Sequence, residues 1–252
     1  MRLPLFALIV ALAGCAVASA LPPLADADGR PFDVLLLGEQ HDAPRHQELH
    51  RQAIEALAGR GTLAAVVLEM AERGHSTAGL PASASEEQVK QALDWEESGW
   101  PWPAYRPAVM AAVAAGVPVL GGNLPRQRMR EAMADARFDA MLPGPALKAQ
   151  QQAVRQGHCD MLPERQVTPM TRIQIARDES MAQALEQAVV PGKTVVLLAG
   201  GGHVNTQLGV PMHLRRGLRV HSTHWPPEPP KKDYCAEFEE QMRSHGGSMR
   251  MQ

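Results

Sequence analysis

Two histidines of this chain end the same short pattern, Gly-x-x-His, and each copy follows an apolar run. The first copy spans residues 38–41 and the second spans residues 200–203. Glycine lets a backbone turn sharply and approach a ligand, and imidazole is a common metal ligand and acid–base catalyst. Carboxylates would complete such a site. The candidates for a catalytic site or a divalent-metal site are Glu39, His41, Glu69 and His203.

The apolar runs before these residues must position them. Four continuously apolar runs predict strands buried on both faces of a sheet. They span residues 34–37, 65–68, 117–120 and 195–198, and the alternating residues 218–225 predict a fifth, less buried strand. Ligands of open α/β sheets bind at the carboxyl ends of the strands, so we expect Glu69 and both histidines on one rim. The alternative is that the histidines only hydrogen-bond the strand ends.

Amphipathic segments between the strands predict helices. They span residues 44–58, 86–95, 107–115, 125–137, 144–155, 169–189 and 206–216. Strands that alternate with helices predict an α/β fold with a mostly parallel central sheet and helices on both faces. Trp95, Trp100 and Trp102 lie close together in sequence and predict an aromatic-rich helical insert at the sheet edge, rather than a porphyrin-stacking surface.

Two further pairs of residues could do chemistry but have simpler explanations. His46 and His50 are four residues apart on the first predicted helix, as in helical zinc sites. The glutamate that such motifs place directly after the first histidine is shifted by one residue, which favours a solvent-exposed helix face. Arg177 and Asp178 lie in a long predicted helix, where an internal ion pair would account for both.

Composition excludes several classes of protein. With 45% hydrophobic and 21% charged residues, the 252-residue chain can bury a core, which argues against disorder and against a polytopic membrane protein. A formal net charge of −2 leaves no basic surplus for the phosphates of nucleic acid. The motifs of serine hydrolases, P-loop nucleotidases and dinucleotide-binding dehydrogenases do not occur in the sequence. We therefore expect one α/β domain that binds a small ligand or a protein.

The amino terminus has the pattern of an export signal. Arg2 precedes an apolar run at residues 3–13, which is too short to span a bilayer. Residues 12–15 read Leu-Ala-Gly-Cys and resemble the bacterial lipobox, in which the cysteine becomes lipidated after cleavage. This predicts an outer-membrane lipoprotein that faces the periplasm and touches the membrane only through the anchor at Cys15. Cleavage after Ala20 as an ordinary signal peptide is the alternative.

Cysteine usage bears on the same compartment. If Cys15 carries lipid, Cys159 and Cys235 remain, and in an oxidising compartment they could form one disulfide. Two separate buried thiols are the alternative, because one sequence cannot place the two residues close together.

Several of these motifs together resemble one family. In the family's order, they are Leu37-Gly38-Glu39-Gln40-His41-Asp42 with His46, Val67-Leu68-Glu69-Met70, Gly99-Trp100-Pro101-Trp102 with Tyr105, Gly122-Asn123-Leu124-Pro125-Arg126, Gly157-His158-Cys159, Arg177-Asp178-Glu179-Ser180-Met181-Ala182 and Gly200-Gly201-Gly202-His203-Val204. Over about residues 32–235 the chain is similar to the ChaN family of haem-binding uptake lipoproteins, in the Tiki/TraB superfamily. The resemblance implies domains at 1–14 (lipoprotein signal peptide), 15–31 (tether), 32–240 (ChaN-like haem-binding domain) and 241–252 (mobile tail).

The resemblance also implies a ligand set. The family places a tyrosine ligand for haem iron after the last strand, and Tyr234 follows the proline-rich segment there. Phenolate suits ferric protoporphyrin IX, and Lys231 and Lys232 could pair with its propionates. The implied partners are an outer-membrane haem receptor or a periplasmic haem carrier, and a second copy of the chain in a homodimer. The alternative, from Tiki proteins, is a metal-dependent protease that uses the paired Gly-x-x-His motifs, but we favour binding over catalysis.

Overall fold

A central five-stranded sheet organises the computed structural model, which describes residues 20–244. The strands are β1 (Val34–Glu39), β2 (Leu63–Glu72), β3 (Val119–Asn123), β4 (Thr194–Gly200) and β5 (Val220–His224). Their order is β3-β2-β4-β1-β5, and every pairing between neighbouring strands is parallel. The continuous apolar runs fit this arrangement, because a central parallel strand is covered on both faces. The predicted α/β fold class and the less buried fifth strand are confirmed.

Helices cover both faces of the sheet. They are α1 (Pro44–Gly59), α2 (Glu86–Ala92), α3 (Trp102–Ala114), α4 (Arg126–Ala134), α5 (Gly144–Gly157), α6 (Glu164–Ala188) and α7 (Tyr234–Ser244). Successive side chains of a strand point to opposite faces. In β1, Leu35 and Leu37 therefore pack with residues of α1 and α3, while Val34 and Leu36 pack with residues of α6 on the other face.

The strand register brings the carboxyl ends together. Glu39 of β1 lies beside Gly200 of β4, and Leu68 of β2 lies beside Leu198 of β4. Glu39, Glu69 and the turn after Gly200 consequently meet at one edge of the sheet. A Cβ atom at position 200 would lie 2.9 Å from His41 Nε2, so a larger residue there would displace the His41 ring.

The helix predicted at residues 206–216 is wrong. Its only helical part is a short 3-10 turn at Val210–Met212. The chain instead folds back on the second Gly-x-x-His turn, where Val210 N–H donates to the His203 carbonyl oxygen at 2.8 Å. Gly209 lies against the same carbonyl group and leaves no room for a side chain. The amphipathic spacing of residues 206–216 therefore does not indicate a helix here, because backbone contacts with the preceding turn fix this segment as a loop.

Several helix ends differ from the predicted ones. α3 and α6 begin five residues before the prolines expected near their first turns, so Pro107 and Pro169 lie inside these helices. The prediction for residues 125–137 merges two elements, because α4 ends at Ala134 and a 3-10 helix follows at Ala136–Ala140.

α7 was not predicted. It begins at Tyr234, directly after the proline-rich segment, and none of its side chains is buried. It continues to Ser244, so the first residues of the expected tail are helical, and residues 245–252 lie outside the described part of the chain. The expected signal peptide and Cys15 also lie outside it. No helix within residues 20–244 has the length and apolar character required to cross a membrane.

Candidate functional site

The Gly-x-x-His turns meet at the carboxyl edge of the sheet, as the sequence predicts. Glu69 lies between the two histidines, with Oε2 3.9 Å from His41 Nε2 and Oε1 3.2 Å from His203 Nε2. Glu39 lies on the other side of His41, where its Oε1 accepts a 2.7 Å hydrogen bond from Nδ1. We call these four side chains the rim cluster. Their predicted convergence is confirmed.

His203 is the buried end of the rim cluster, and both of its ring nitrogens face carboxylates. Nδ1 is 2.6 Å from Asp178 Oδ1, and Nε2 faces Glu69. Burial alone would lower the pKa of His203, but the charges of Glu69 and Asp178 outweigh it and raise the pKa to about 10. His203 is therefore an imidazolium ion at neutral pH, with a proton on each nitrogen.

Glu69 is held in its charged form. Burial favours the neutral acid, but the opposite charge of His203 outweighs burial and keeps the pKa of Glu69 well below its ordinary value. Its Oε2 also accepts a 2.7 Å hydrogen bond from the Gly200 backbone N–H. Both carboxylate oxygens are thus already engaged by the protein.

His41 is the exposed end of the rim cluster, with 42% of its side chain accessible. Partial burial lowers its pKa, but the hydrogen bond to Glu39 and the charge of Glu69 outweigh this and raise the pKa above its ordinary value. The edge of its ring contacts Trp100, with ring centroids 4.8 Å apart. The predicted aromatic insert therefore packs beside the rim cluster.

Glu39 binds two further residues that sequence reasoning did not assign to the site. The Tyr105 hydroxyl donates a 2.7 Å hydrogen bond to Glu39 Oε1, and His50 Nδ1 lies 3.4 Å from Oε2. Burial and the nearby Glu39 charge raise the pKa of Tyr105 far above its ordinary value. Burial also lowers the pKa of His50 to about 4, so this histidine is neutral at pH 7.

The prediction that His46 and His50 lie on a solvent-exposed helix face is wrong. Both side chains are buried, and both rings pack against Trp225. His46 Nδ1 accepts a hydrogen bond from Gln40 N–H at 3.0 Å, and its Nε2 lies 3.1 Å from the Pro226 carbonyl oxygen. The pair therefore joins α1 to the turn after β1 and to the segment after β5.

The alternative metal site and catalytic site at the rim cluster are not favoured. Within residues 20–244, no group of three or more His, Cys, Asp or Glu side chains is arranged to hold a metal ion. The physical reason is that the imidazolium and carboxylate groups that could bind a metal already form ion pairs with one another. A ligating imidazole needs a free lone pair, whereas both nitrogens of His203 face carboxylates. The rim cluster is a closed ion-pair network.

The ion pair expected between Arg177 and Asp178 does not form. Asp178 turns inward to His203, and Arg177 lines a separate cavity. The two side chains are neighbours on a helix, and such neighbours do not face each other. An acidic residue in the middle of a long helix, such as Asp178, indicates that a cationic partner lies elsewhere in the fold. The sequence does not identify that partner as His203.

Tyr234 lies beside the turn that follows β1 and contacts Asp42, the neighbour of His41 in sequence. Its side chain is 45% exposed, and its hydroxyl donates a 2.8 Å hydrogen bond to Asp42 Oδ2. The same oxygen accepts the Lys231 backbone N–H at 2.9 Å. The Lys232 ammonium group lies 5.1 Å from the centre of the Tyr234 ring and pairs with Glu237 at 2.6 Å. The three residues predicted to bind haem therefore lie together on the surface.

A disulfide fixes this surface to the domain. Cys235, the neighbour of Tyr234, is bonded to Cys159, which directly follows the C-cap residue of α5, with the two Cα atoms 5.7 Å apart. Of the two possibilities that the sequence leaves open, the structure has the disulfide and not two separate thiols. No residue of α7 is buried, and the contacts that attach it to the domain include the disulfide, the Tyr234–Asp42 hydrogen bond and the Phe238 ring, which packs edge-on against His158 with the ring centroids 5.7 Å apart.

Comparisons with known proteins agree with this fold. The family described as "Haem-binding uptake, Tiki superfamily, ChaN" matches residues 28–214. A solved structure described as "Cofacial heme binding to ChaN of Campylobacter jejuni" is similar with a TM-score of 0.61 and 21% identity, covering 78% of this chain and 84% of that one. The structure of the type III effector HopBA1 gives a TM-score of 0.40 and 15% identity over 75% of each chain, which is too low to support an inference. No curated protein matches the chain.

Proposed function

Because the chain belongs to the ChaN family of haem-binding uptake proteins, we propose that it binds ferric haem through Tyr234 and takes part in haem or iron acquisition. The observation that carries the proposal is an exposed tyrosine held in place on a surface that also presents two lysines. Phenolate is an anionic oxygen ligand used by proteins for ferric haem. The matched family range ends at residue 214, so the choice of Tyr234 rests on the geometry of this chain.

Tyr234 is favoured because the chain has only two tyrosines, and the other one is not available. Tyr105 is 2% exposed and donates its hydroxyl proton to Glu39. A phenolate there would be buried beside that carboxylate, and burial together with the Glu39 charge raises the pKa of Tyr105 strongly. Tyr234 also bonds to a carboxylate, but it is exposed, so haem can approach and Fe³⁺ can replace the phenolic proton.

Lys231 and Lys232 are suited to the propionates of this haem. Both are exposed and precede the tyrosine by three and two residues. The Lys231 backbone is fixed by Asp42, so its side chain starts from a defined position. Lys232 forms an ion pair with Glu237 and would have to leave this carboxylate in order to bind a haem propionate. Exposed pairs of this kind contribute little, so the iron bond supplies most of the affinity.

A surface tyrosine leaves one face of a bound haem open to solvent. Burial of that apolar face would be favourable, and a second copy of the chain carrying its own haem is one way to achieve it. The related structure from C. jejuni is described as cofacial haem binding, which supports this arrangement here. We therefore propose that haem promotes homodimer formation.

The proposed location is the periplasmic side of the outer membrane, with lipid on Cys15 as the anchor. The lipobox-like residues 12–15 support this proposal. An anchored haem protein there would receive haem from an outer-membrane receptor or pass it to a periplasmic carrier. Lipid attachment needs two or more acyl chains to hold a protein stably, as lipidated cysteines provide.

A hemin titration of the purified protein tests haem binding. We expect a saturable change in the visible spectrum, with the charge-transfer band of a phenolate-bound ferric haem. Size measurements on the same samples should show a shift from monomer to dimer as haem is added. A spectrum that remains that of free hemin at all protein concentrations would contradict the proposed function.

A further inference from the structure

A cavity of about 340 Å³ opens beyond the carboxyl ends of β2 and β3. It lies at the opposite end of the sheet edge from Tyr234, which contacts the turn after β1. Pockets for small ligands usually have volumes of about 300–1,000 Å³, so this one is large enough for a compact ligand. We call it the Arg177 cavity, after the residue of α6 that lines it.

One wall of the Arg177 cavity is apolar. Trp95 and Trp100 line it from the aromatic insert, and Met70, Leu124 and Met129 line it from the neighbouring elements. The Trp95 indole N–H donates to the Trp100 backbone carbonyl oxygen at 2.9 Å, which fixes the Trp95 ring relative to the Trp100 backbone. The wall therefore presents a preformed surface suited to a flat apolar group.

Arg177 forms no close ion pair in the part of the chain that the structure describes, and its charge acts only at longer range on Glu69, where it helps to lower the pKa of that carboxyl. Its Nε atom is buried and has no hydrogen-bond acceptor, and no carboxylate lies within 4.0 Å of its guanidinium group. Buried polar atoms almost always have hydrogen-bond partners, and leaving one unpaired costs free energy. The Arg177 Nε–H group, which lacks an acceptor and lies at a cavity, therefore favours the binding of an anionic acceptor.

The carboxylates that line the Arg177 cavity are engaged elsewhere. Glu69 bonds to His203 and to the Gly200 N–H. Glu72 and Glu96 both pair with Arg126, the second arginine of the lining. Asp94 lies at the mouth with 81% of its side chain exposed. Arg177 is thus the lining cation that forms no ion pair within 4.0 Å among the described residues, with Glu69 as its counterpart at longer range.

We propose that the Arg177 cavity binds a small carboxylate with a flat apolar body. The guanidinium group would hold the carboxylate through paired N–H donors, and the apolar body would lie against Trp95 and Trp100. The site is separate from the proposed haem surface, so the two sites can be tested independently. It adds a second ligand to the protein, which is a small organic acid.

Benzoate is a suitable probe, with benzyl alcohol as its uncharged counterpart. Binding is followed by NMR through the indole N–H signals of Trp95 and Trp100, and Trp225, which packs on α1, serves as a remote reference. We expect benzoate to shift the first two signals saturably and to bind about tenfold or more tightly than benzyl alcohol, since hydrogen bonds to a charged group contribute that much. Equal affinity for the two probes, or no saturable shift, would overturn the proposal.

Arg177→Gln should reduce benzoate affinity to that of benzyl alcohol. The control is Arg106→Gln, which removes a paired, exposed arginine outside the lining of the cavity, and it should change affinity less than threefold, as expected for about 0.5 kcal/mol. Arg177→Lys keeps the charge and should retain part of the affinity if the glutamine variant does not fold. Undiminished benzoate binding in a folded Arg177→Gln protein, or an equal loss in Arg106→Gln, would contradict the proposal. Hemin binding should be the same in all three variants.

Discussion

Tyr234 donates its phenolic proton to Asp42, the residue that directly follows the first Gly-x-x-His turn. Asp42 is a partly buried carboxylate. Burial raises its pKa, but the hydrogen bonds from the Lys231 backbone, Gln40 and Tyr234 together outweigh burial and lower the pKa to about 2. Asp42 is therefore ionised at neutral pH and stabilises the neutral phenol. The interaction orients Tyr234 for iron but also opposes formation of the phenolate.

Asp42→Asn should strengthen haem binding at pH 7. The asparagine can still accept hydrogen bonds, but its neutral side chain no longer disfavours the phenolate. The raised pKa of Tyr234 should fall, and affinity should rise by up to about tenfold for each unit that it falls. Hemin titrations between pH 6 and 9 measure this, and the affinity curve of the variant should be displaced to lower pH. Asp28→Asn, at an exposed ion pair remote from Tyr234, is the control. Weaker binding in Asp42→Asn would contradict this prediction, because it would mean that Asp42 helps haem binding more by orienting Tyr234 than its charge opposes it by disfavouring the phenolate.

The Cys159–Cys235 disulfide should matter more for haem than for the fold. In the double variant Cys159→Ser/Cys235→Ser, α7 loses its covalent attachment, and its exposed side chains provide little packing to replace it. We expect haem affinity to fall at least tenfold. The free energy of unfolding should fall by less than the ~4 kcal/mol that closure of so long a loop can supply, because α7 can detach alone. Hemin titration and urea unfolding provide the two measurements. Unchanged haem affinity would show that Tyr234 is positioned without the disulfide.

The sequence was sufficient to predict the sheet. Buried parallel strands are apolar along their whole length, so β1, β2 and β4 were recognisable, and their common direction placed His41 and His203 at one edge. Helix boundaries were harder. The sequence predicts that two helices begin at Pro107 and Pro169, whereas both helices begin five residues earlier in the structure.

Polar partners that are distant in sequence could not be predicted. His203 hydrogen-bonds to Asp178, which is 25 positions away in sequence, and Glu39 accepts a hydrogen bond from Tyr105, which is 66 positions away. Sequence spacing indicates neighbours only within one helix or strand, so it wrongly paired Arg177 with Asp178. The burial of His46 and His50 also depends on Trp225, which is distant in sequence but follows β5, the strand paired with β1. These contacts follow from the tertiary fold and not from local patterns.

His203 should stabilise the protein through its charge. His203→Gln leaves Glu69 and Asp178 without their cation, and removal of one partner from a buried ion pair typically costs about 3–5 kcal/mol. The pKa of His203 is raised from 6.5 to about 10 on folding, so its contribution is complete below pH 6.5 and is lost as pH rises towards 10. The difference in unfolding free energy between wild type and variant should therefore shrink over this range.

Urea unfolding at several pH values measures that difference. The control is His75→Gln, because His75 is 39% exposed and lies 4.0 Å from Asp94. This variant should change stability by less than about 1 kcal/mol at every pH. A His203→Gln protein as stable as wild type at pH 6 would contradict the ion-pair network described for the rim cluster.

Cys15→Ser should release the protein from membranes. The substitution removes the only acceptor for lipid in the lipobox-like segment, and we expect the protein to move from the membrane fraction to the soluble periplasmic fraction. The matched control is Ala16→Ser, which should stay with membranes. If Cys15→Ser still sediments with membranes, the proposed anchor is wrong.

The most direct test of the account is a hemin titration of Tyr234→Phe beside the wild type, followed by visible absorbance. The substitution removes the coordinating oxygen and keeps the ring, so packing changes little. We predict that the phenolate charge-transfer band disappears and that affinity falls at least tenfold, whereas Lys231→Ala and Lys232→Ala each change affinity less than about fivefold. An unchanged spectrum and affinity in Tyr234→Phe would contradict the assignment of Tyr234 as the haem ligand.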